Sequence, residues 1–115
     1  MWITPNDCND MHDCQPPVAD DWLEAMVTKI QAADAYKNGG AIFFVFDEGS
    51  VRFLGASADV VAVWASPKLV SKSLVSNTSF DHRSYVATIE DIFSLPRVPA
   101  TVDVTPMDSF FVAKR

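Results

Sequence analysis

Hydrophobic and polar positions divide the chain into short blocks with different periods. Residues 2–4 (Trp-Ile-Thr) read as the end of an apolar strand, cut off by Pro5, which has no amide to donate to a ladder. Residues 6–17 are polar, rich in Asn and Asp, and closed by Pro16-Pro17, which is a loop composition. Asp21-Trp22-Leu23-Glu24 has the spacing of a capping box, and Trp22, Leu23, Met26, Val27, Ile30 and Ala33 follow on one helical face. A helix is therefore predicted from Asp21, stopped by Asn38-Gly39-Gly40, where left-handed backbone is tolerated.

Residues 41–46 (Ala-Ile-Phe-Phe-Val-Phe) are apolar without alternation, the pattern of a strand covered on both faces, as in a parallel sheet. The run stops at Asp47-Glu48-Gly49. Residues 60–65 read as another buried strand, ended by Ser66-Pro67, and residues 71–79 as polar loop. A second helix is predicted from Asp81 or His82, with Tyr85, Val86, Ile89, Ile92 and Phe93 on its apolar face and Leu95-Pro96 at its end. Residues 97–115 read as irregular. Strand, helix, strand, strand, helix predicts an α/β fold in a single domain over residues 1–115: a partial, mostly parallel sheet with flanking helices and right-handed crossovers. Ligands of such sheets gather beyond the carboxyl ends of the strands. The loop at 6–14, Asp47-Glu48 and Asp81-His82 are all assigned to that edge.

Composition narrows the class. The 115 residues leave room for one core, 49% are hydrophobic and 21% charged, and 4 Gly against 7 Pro is a globular balance rather than a disordered or fibrous one. The longest apolar run falls far short of the roughly 20 residues of a membrane helix, so no transmembrane segment is expected. The opening Met-Trp-Ile-Thr-Pro-Asn-Asp has neither the basic head nor the apolar stretch of a secretion signal, and localisation is left open. The net charge of −6 lies wholly in residues 1–24, where Asp7, Asp10, Asp13, Asp20, Asp21 and Glu24 stand with no Lys or Arg. Such a distribution lacks the electrostatic footprint of a nucleic-acid or anionic-membrane binder, and divalent cations are the more natural partner.

Two adjacent carboxylates directly after a buried strand, Asp47 and Glu48, are costly unless compensated, and a hard divalent cation would compensate them. The alternative is an exposed acid beside a turn glycine. His12 and His82 occupy loops on the same predicted edge, where they are either ligands or surface histidines. Cys8 and Cys14 fit neither a zinc knuckle nor a redox Cys-x-x-Cys. They read either as a local disulfide, which implies an oxidising compartment, or as small loop residues.

Four stretches in order carry a family resemblance: Ile-Thr-Pro-Asn-Asp-Cys-Asn-Asp-Met-His-Asp-Cys (3–14), Asp-Trp-Leu (21–23), Asn-Gly-Gly-Ala-Ile-Phe-Phe-Val-Phe-Asp-Glu-Gly (38–49) and Asp-His-Arg-Ser-Tyr-Val-Ala-Thr-Ile-Glu-Asp-Ile-Phe-Ser-Leu-Pro (81–96). Together they resemble the C-terminal part of the phosphoesterase family that contains non-specific phospholipase C and acid phosphatase enzymes, within the alkaline phosphatase superfamily. The resemblance implies that Asp47 and Glu48 are metal ligands, the identity of the metal being open. It implies that His12 and His82 are active-site histidines binding metal or phosphoryl oxygens, with Asn9 and Asp10 orienting His12. The implied reaction is hydrolysis of a phosphate ester by a metal-activated Ser or Thr.

The chain departs from the family pattern at Phe-Ser-Leu-Pro (93–96), where the family has Phe-Gly-Leu-Pro, and at Arg83-Ser84-Tyr85, where Tyr-Ser-Leu is commoner. The segment that carries the family's nucleophile is absent, and none of Ser50, Ser66, Ser84 and Thr88 matches its motif. A start at Met1, inside a predicted core strand, reads as truncation. The expectation is a fragment of a hydrolase, inactive alone. The alternative is a non-catalytic remnant, or a small metal-binding or interaction domain.

Overall fold

The computed structural model describes residues 1–47 and 59–112. The chain divides into two compact units, Met1–Gly40 and Ala41–Arg115.

The first unit is helical: α1 spans Pro16–Ala32 and α2 spans Asp34–Lys37. Pro16 and Pro17 occupy the first helical positions, where the amide has no intrahelical acceptor and the fixed φ suits the helix. α1 thus starts ahead of the predicted capping box, and Asp21 lies inside it. The predicted face is largely right, since Ala19 is buried and Trp22, Leu23, Met26, Val27 and Ile30 are half-buried, while Ala33 is exposed. Ala33 breaks the helix with ψ 144°. α2 then ends at Asn38-Gly39-Gly40 as expected, with Gly39 at φ 105°. Gly40 approaches so closely that an added Cβ would lie 2.7 Å from the Ala35 carbonyl oxygen. The strand predicted at residues 2–4 does not form: Trp2 is 74% exposed, and its indole N–H donates to the Thr4 hydroxyl at 3.0 Å. An otherwise helical unit offers that segment no ladder.

The second unit holds β1 (Ile42–Val45), β2 (Ala62–Ala65), α3 (His82–Phe93) and a 3-10 turn (Asp108–Phe110). The molecule is a small α/β piece, but its two described strands run antiparallel, which corrects the mostly parallel expectation. An unbroken apolar run carries no information on strand direction, and β1 is half-buried along its length rather than covered on both faces. Phe43 pairs with Trp64 and Phe44 with Val63, and the Phe46 amide extends the ladder to the Val61 carbonyl.

The pleat sends Phe43 and Trp64 to one face, where α3 meets them. Phe43 lies 4.4 Å from Trp64 and 4.5 Å from Tyr85 between ring centroids, and Phe111 meets Trp64 edge-on at 5.0 Å. Such ring pairs contribute about 0.5–1.5 kcal/mol each beyond their burial. Burial among the rings raises the Tyr85 phenol above its ordinary pKa.

α3 starts where the sequence places it. Asp81 is the N-cap and forms a capping box with Ser84: the Ser84 amide donates to Asp81 Oδ1 at 3.1 Å, and the Asp81 amide donates to Ser84 Oγ at 3.2 Å. The face that α3 buries differs from the predicted apolar one. Ser84, Ala87, Thr88 and Glu90 are buried, whereas Val86 and Phe93 are exposed. These polar groups tolerate burial because each is hydrogen-bonded. The Thr88 hydroxyl donates to the Ser84 carbonyl at 2.6 Å and accepts the Met107 amide at 2.7 Å. Glu90 accepts the Val98 amide at 3.1 Å and the Thr101 hydroxyl at 2.7 Å. Arg97 lies 3.5 Å from Glu90 and 2.7 Å from Asp91. The tail read as irregular is therefore laced onto α3, and its end pairs with residues 68–70 through the Val70 and Val112 amides. Among the described residues the buried apolar side chains are Ala19, Ala87 and Met107, a thin core. No helix among them is long and apolar enough to cross a membrane.

Candidate functional site

His12 is presented by a short cross-linked loop. Asn6 folds the loop over itself, its carbonyl accepting the amides of Asn9 and Asp10 and its side chain accepting the Asn9 amide again. Cys8 and Cys14 are joined in a disulfide, which resolves the two readings of those residues in favour of the cross-link. Asp10 Oδ1 accepts the His12 amide at 2.9 Å, and Met11 beside it adopts φ 72°. The histidine side chain, 80% exposed, sets Nδ1 3.0 Å from Asp13 Oδ1. That bond, with the charges of Asp13, Asp10 and Asp7, holds the His12 pKa above its ordinary value. With Nδ1 engaged by Asp13, Nε2 is the other ring nitrogen, able to accept when neutral or donate when protonated. Asp13 immediately follows His12, and that adjacency is the one sequence signal for its contact with the imidazole.

The other candidates belong to the second unit. Asp47 follows β1 and is exposed, while Glu48 lies outside the described residues. His82 is the first residue of α3 and is exposed. Its neighbour Arg83 places two guanidinium nitrogens 2.9 and 2.7 Å from Asp81 Oδ2, which lowers the Asp81 pKa. The antiparallel register changes the argument for a shared edge. Ala65, the end of β2, is level with Ile42, so the chain leaves β2 at the end of the sheet away from Asp47 and reaches His82 through a long loop. Among the described residues, no three His, Cys, Asp or Glu side chains gather into a group that could hold a metal ion.

Of the four candidate hydroxyls, the three within the described residues bond to backbone groups. Ser66 Oγ accepts the Lys68 amide, Ser84 Oγ completes the α3 cap, and the Thr88 hydroxyl joins α3 to the tail. Ser50 lies outside the described residues. None of the described three is placed as a free nucleophile of the kind that a neighbouring base activates.

No protein-family model matches the chain, and no solved structure matches it. It is 26% identical over 96 residues to a phosphate-repressible acid phosphatase of Penicillium chrysogenum. The match covers 84% of this chain and 23% of that protein, so the chain spans less than a quarter of its relative's length. Likeness at this level is a distant, phosphatase-like relationship.

Proposed function

We propose that the chain is the C-terminal part of a metal-dependent phosphoric ester hydrolase of the acid phosphatase and phospholipase C type. The observation that carries the reading is the likeness to an acid phosphatase over most of the chain. Asp47 and Glu48 are assigned as metal ligands, and His12 and His82 as the imidazoles that face metal or phosphoryl oxygens. The chemistry of the donor set fits a hard divalent cation, with two carboxylates in sequence and imidazole nitrogen in addition. When bound, such a cation acts as a Lewis acid on the phosphoryl oxygens. With Nδ1 of His12 held by Asp13, Nε2 in its protonated form would donate to a phosphoryl or leaving oxygen.

The thin core and the exposed Val61, Val63 and Phe93 support the fragment reading, because such surface is ordinarily covered. On this reading the remaining metal ligands and the nucleophile belong to the rest of a longer polypeptide, in which the two strands join a larger α/β sheet. The 115 residues alone are expected to bind divalent cations weakly and to leave p-nitrophenyl phosphate and a phosphocholine ester intact at every pH, with manganese, calcium or zinc present. Turnover that survives purification and is lost in Asp47→Ala would overturn the fragment reading. A tight metal site unaffected by Asp47→Ala and Glu48→Ala would overturn the ligand assignment.

A further inference from the structure

The segment that joins β2 to α3 leaves a carboxamide and a hydroxyl idle. Residues 71–79 (Ser-Lys-Ser-Leu-Val-Ser-Asn-Thr-Ser) hold seven polar residues and no acid, a composition suited to water. The segment runs between two fixed points, the Val70 amide bonded to the Phe110 carbonyl and the Asp81 cap of α3. Within it the hydroxyls of Ser71 and Ser76 engage the backbone, accepting the Ser73 amide at 3.3 Å and the Thr78 amide at 3.1 Å. Asn77, Thr78 and Ser79 are exposed and belong to no helix or strand. Among the described residues no hydrogen bond meets the Asn77 carboxamide or the Ser79 hydroxyl.

Asn77-Thr78-Ser79 sets a hydroxyl two positions after an asparagine, with no proline between them or directly after. Of the four asparagines in the chain, Asn77 alone has this spacing. It is the acceptor pattern of N-linked glycosylation. The Cys8–Cys14 disulfide, in the other unit, is an independent observation that bears on the same question. Such a bond belongs to a chain that meets an oxidising compartment, and the secretory lumen that forms disulfides is also where N-glycans are transferred. The acceptor is local, three consecutive residues modified as the chain enters the lumen. It therefore does not depend on what the rest of a longer polypeptide later covers.

We propose that Asn77 is an N-glycosylation site, taking an oligosaccharide from a polyprenyl-pyrophosphate-linked donor. In the transfer, Nδ2 of Asn77 attacks the anomeric carbon of the donor's first sugar and forms an N-glycosidic bond. The bond from that carbon to the pyrophosphate oxygen breaks, the polyprenyl pyrophosphate leaves, and Nδ2 gives up one proton to a base of the transferase. The Ser79 hydroxyl is the group by which the acceptor is recognised. Once attached, the glycan keeps residues 76–79 at the surface of the complete protein. The proposal goes beyond the phosphoesterase reading and does not rest on it.

The test expresses the chain in yeast behind a cleavable secretion leader, with an Asn-Gly-Thr acceptor appended at its C-terminus to report entry into the lumen. Two glycosidase-sensitive electrophoretic steps are expected, in secreted and cell-retained chain alike, and enzymatic deglycosylation in heavy-oxygen water should label residue 77. Asn77→Gln and Ser79→Ala should each remove one step, and Ser79→Thr should keep both. The glycosylated chain should retain the near-UV signal of the Trp64 ring cluster. Three results would each overturn the proposal. One is a glycan on the appended acceptor with none on Asn77. Another is a second step that persists in both Asn77→Gln and Ser79→Ala. The third is an Asn77 glycan confined to chains that lack the near-UV signal, which would mark the fold as unable to carry it.

Discussion

Ser94 closes α3 in a left-handed conformation, φ 54° and ψ 41°, with the Leu95 amide donating to the Glu90 carbonyl at 2.7 Å and the Ser94 amide donating to Asp91 at 3.2 Å. This is the backbone that glycine adopts freely and that a Cβ disfavours by roughly 1–2 kcal/mol. Ser94→Gly removes that penalty. It also widens the unfolded ensemble, which offsets about 0.4–1 kcal/mol of the gain. The net expectation is a stabilisation of about 0.5–1 kcal/mol, or a rise in Tm of about 3–5 °C for a chain of this size. Ser94→Val, which places a β-branched side chain at the same φ, should destabilise by about 1 kcal/mol or more. Urea unfolding followed by far-UV circular dichroism reads the helix, and near-UV signal reads the Trp64 ring cluster. A Gly variant that unfolds earlier than the parent, or a Val variant that unfolds with it, would refute the left-handed cap. The same substitution restores the Phe-Gly-Leu-Pro sequence of the resembling family, so the departure at Ser94 concerns a helix end.

Thr88→Val leaves the buried Met107 amide without its acceptor and should cost about 1–3 kcal/mol in urea unfolding, whereas Thr88→Ser keeps the bond and most of the stability. The Thr101 hydroxyl, the Val98 amide and Arg97 hold Glu90 below its ordinary pKa of 4.5. Its carboxylate therefore contributes stability that is fully present above that value and lost as pH falls through the lower, folded value. Glu90→Gln should flatten this acid limb of a stability-against-pH curve, and an unchanged limb would contradict the assignment. His12 has the opposite sign, with a folded pKa raised above 6.5, so its contribution is complete below 6.5 and fades as pH rises through the folded value. In a nuclear magnetic resonance titration, Asp13→Asn should bring the His12 midpoint down, and an unmoved midpoint would exclude Asp13 as the chief cause. Reducing the Cys8–Cys14 bond should release the loop order at a cost of about 2 kcal/mol by chain entropy, read as faster exchange of the Asp13 amide that donates to the Asp7 carbonyl.

What the sequence discloses is local, and what it conceals depends on distant partners. The stop at Asn38-Gly39-Gly40 and the α3 cap at Asp81 each involve residues within a few positions of one another, and each is found where the sequence puts it; the apolar run at 41–46 forms a strand over Ile42–Val45, half-buried rather than covered on both faces. α1 starts at Pro16 rather than Asp21 because Pro16-Pro17 serves equally as loop punctuation and as a helix opening. The buried face of α3 differs from its apolar one because Thr88 and Glu90 meet partners far along the chain, at Met107 and Thr101. A small and polar stripe at helical spacing, Ser84, Ala87, Thr88 and Asp91, was the available signal. Strand direction was invisible for a different reason, since β1 is apolar at every position and fits either kind of neighbour. Of the candidate site, the exposure of His12 and His82 agrees with their reading as loop or helix-start residues. The roles of His12, Asp47, Glu48 and His82 at a phosphate are what the family resemblance implies.

The most direct measurement exchanges the matching segment of the Penicillium chrysogenum acid phosphatase for this chain and follows hydrolysis of p-nitrophenyl phosphate by the purified, folded hybrid. The account predicts a hybrid that retains turnover and loses at least about 100-fold on His12→Ala, His82→Ala or Asp47→Ala, the scale of losing a group that stabilises the transferring phosphoryl charge. A folded hybrid whose turnover is indifferent to all three substitutions would contradict it.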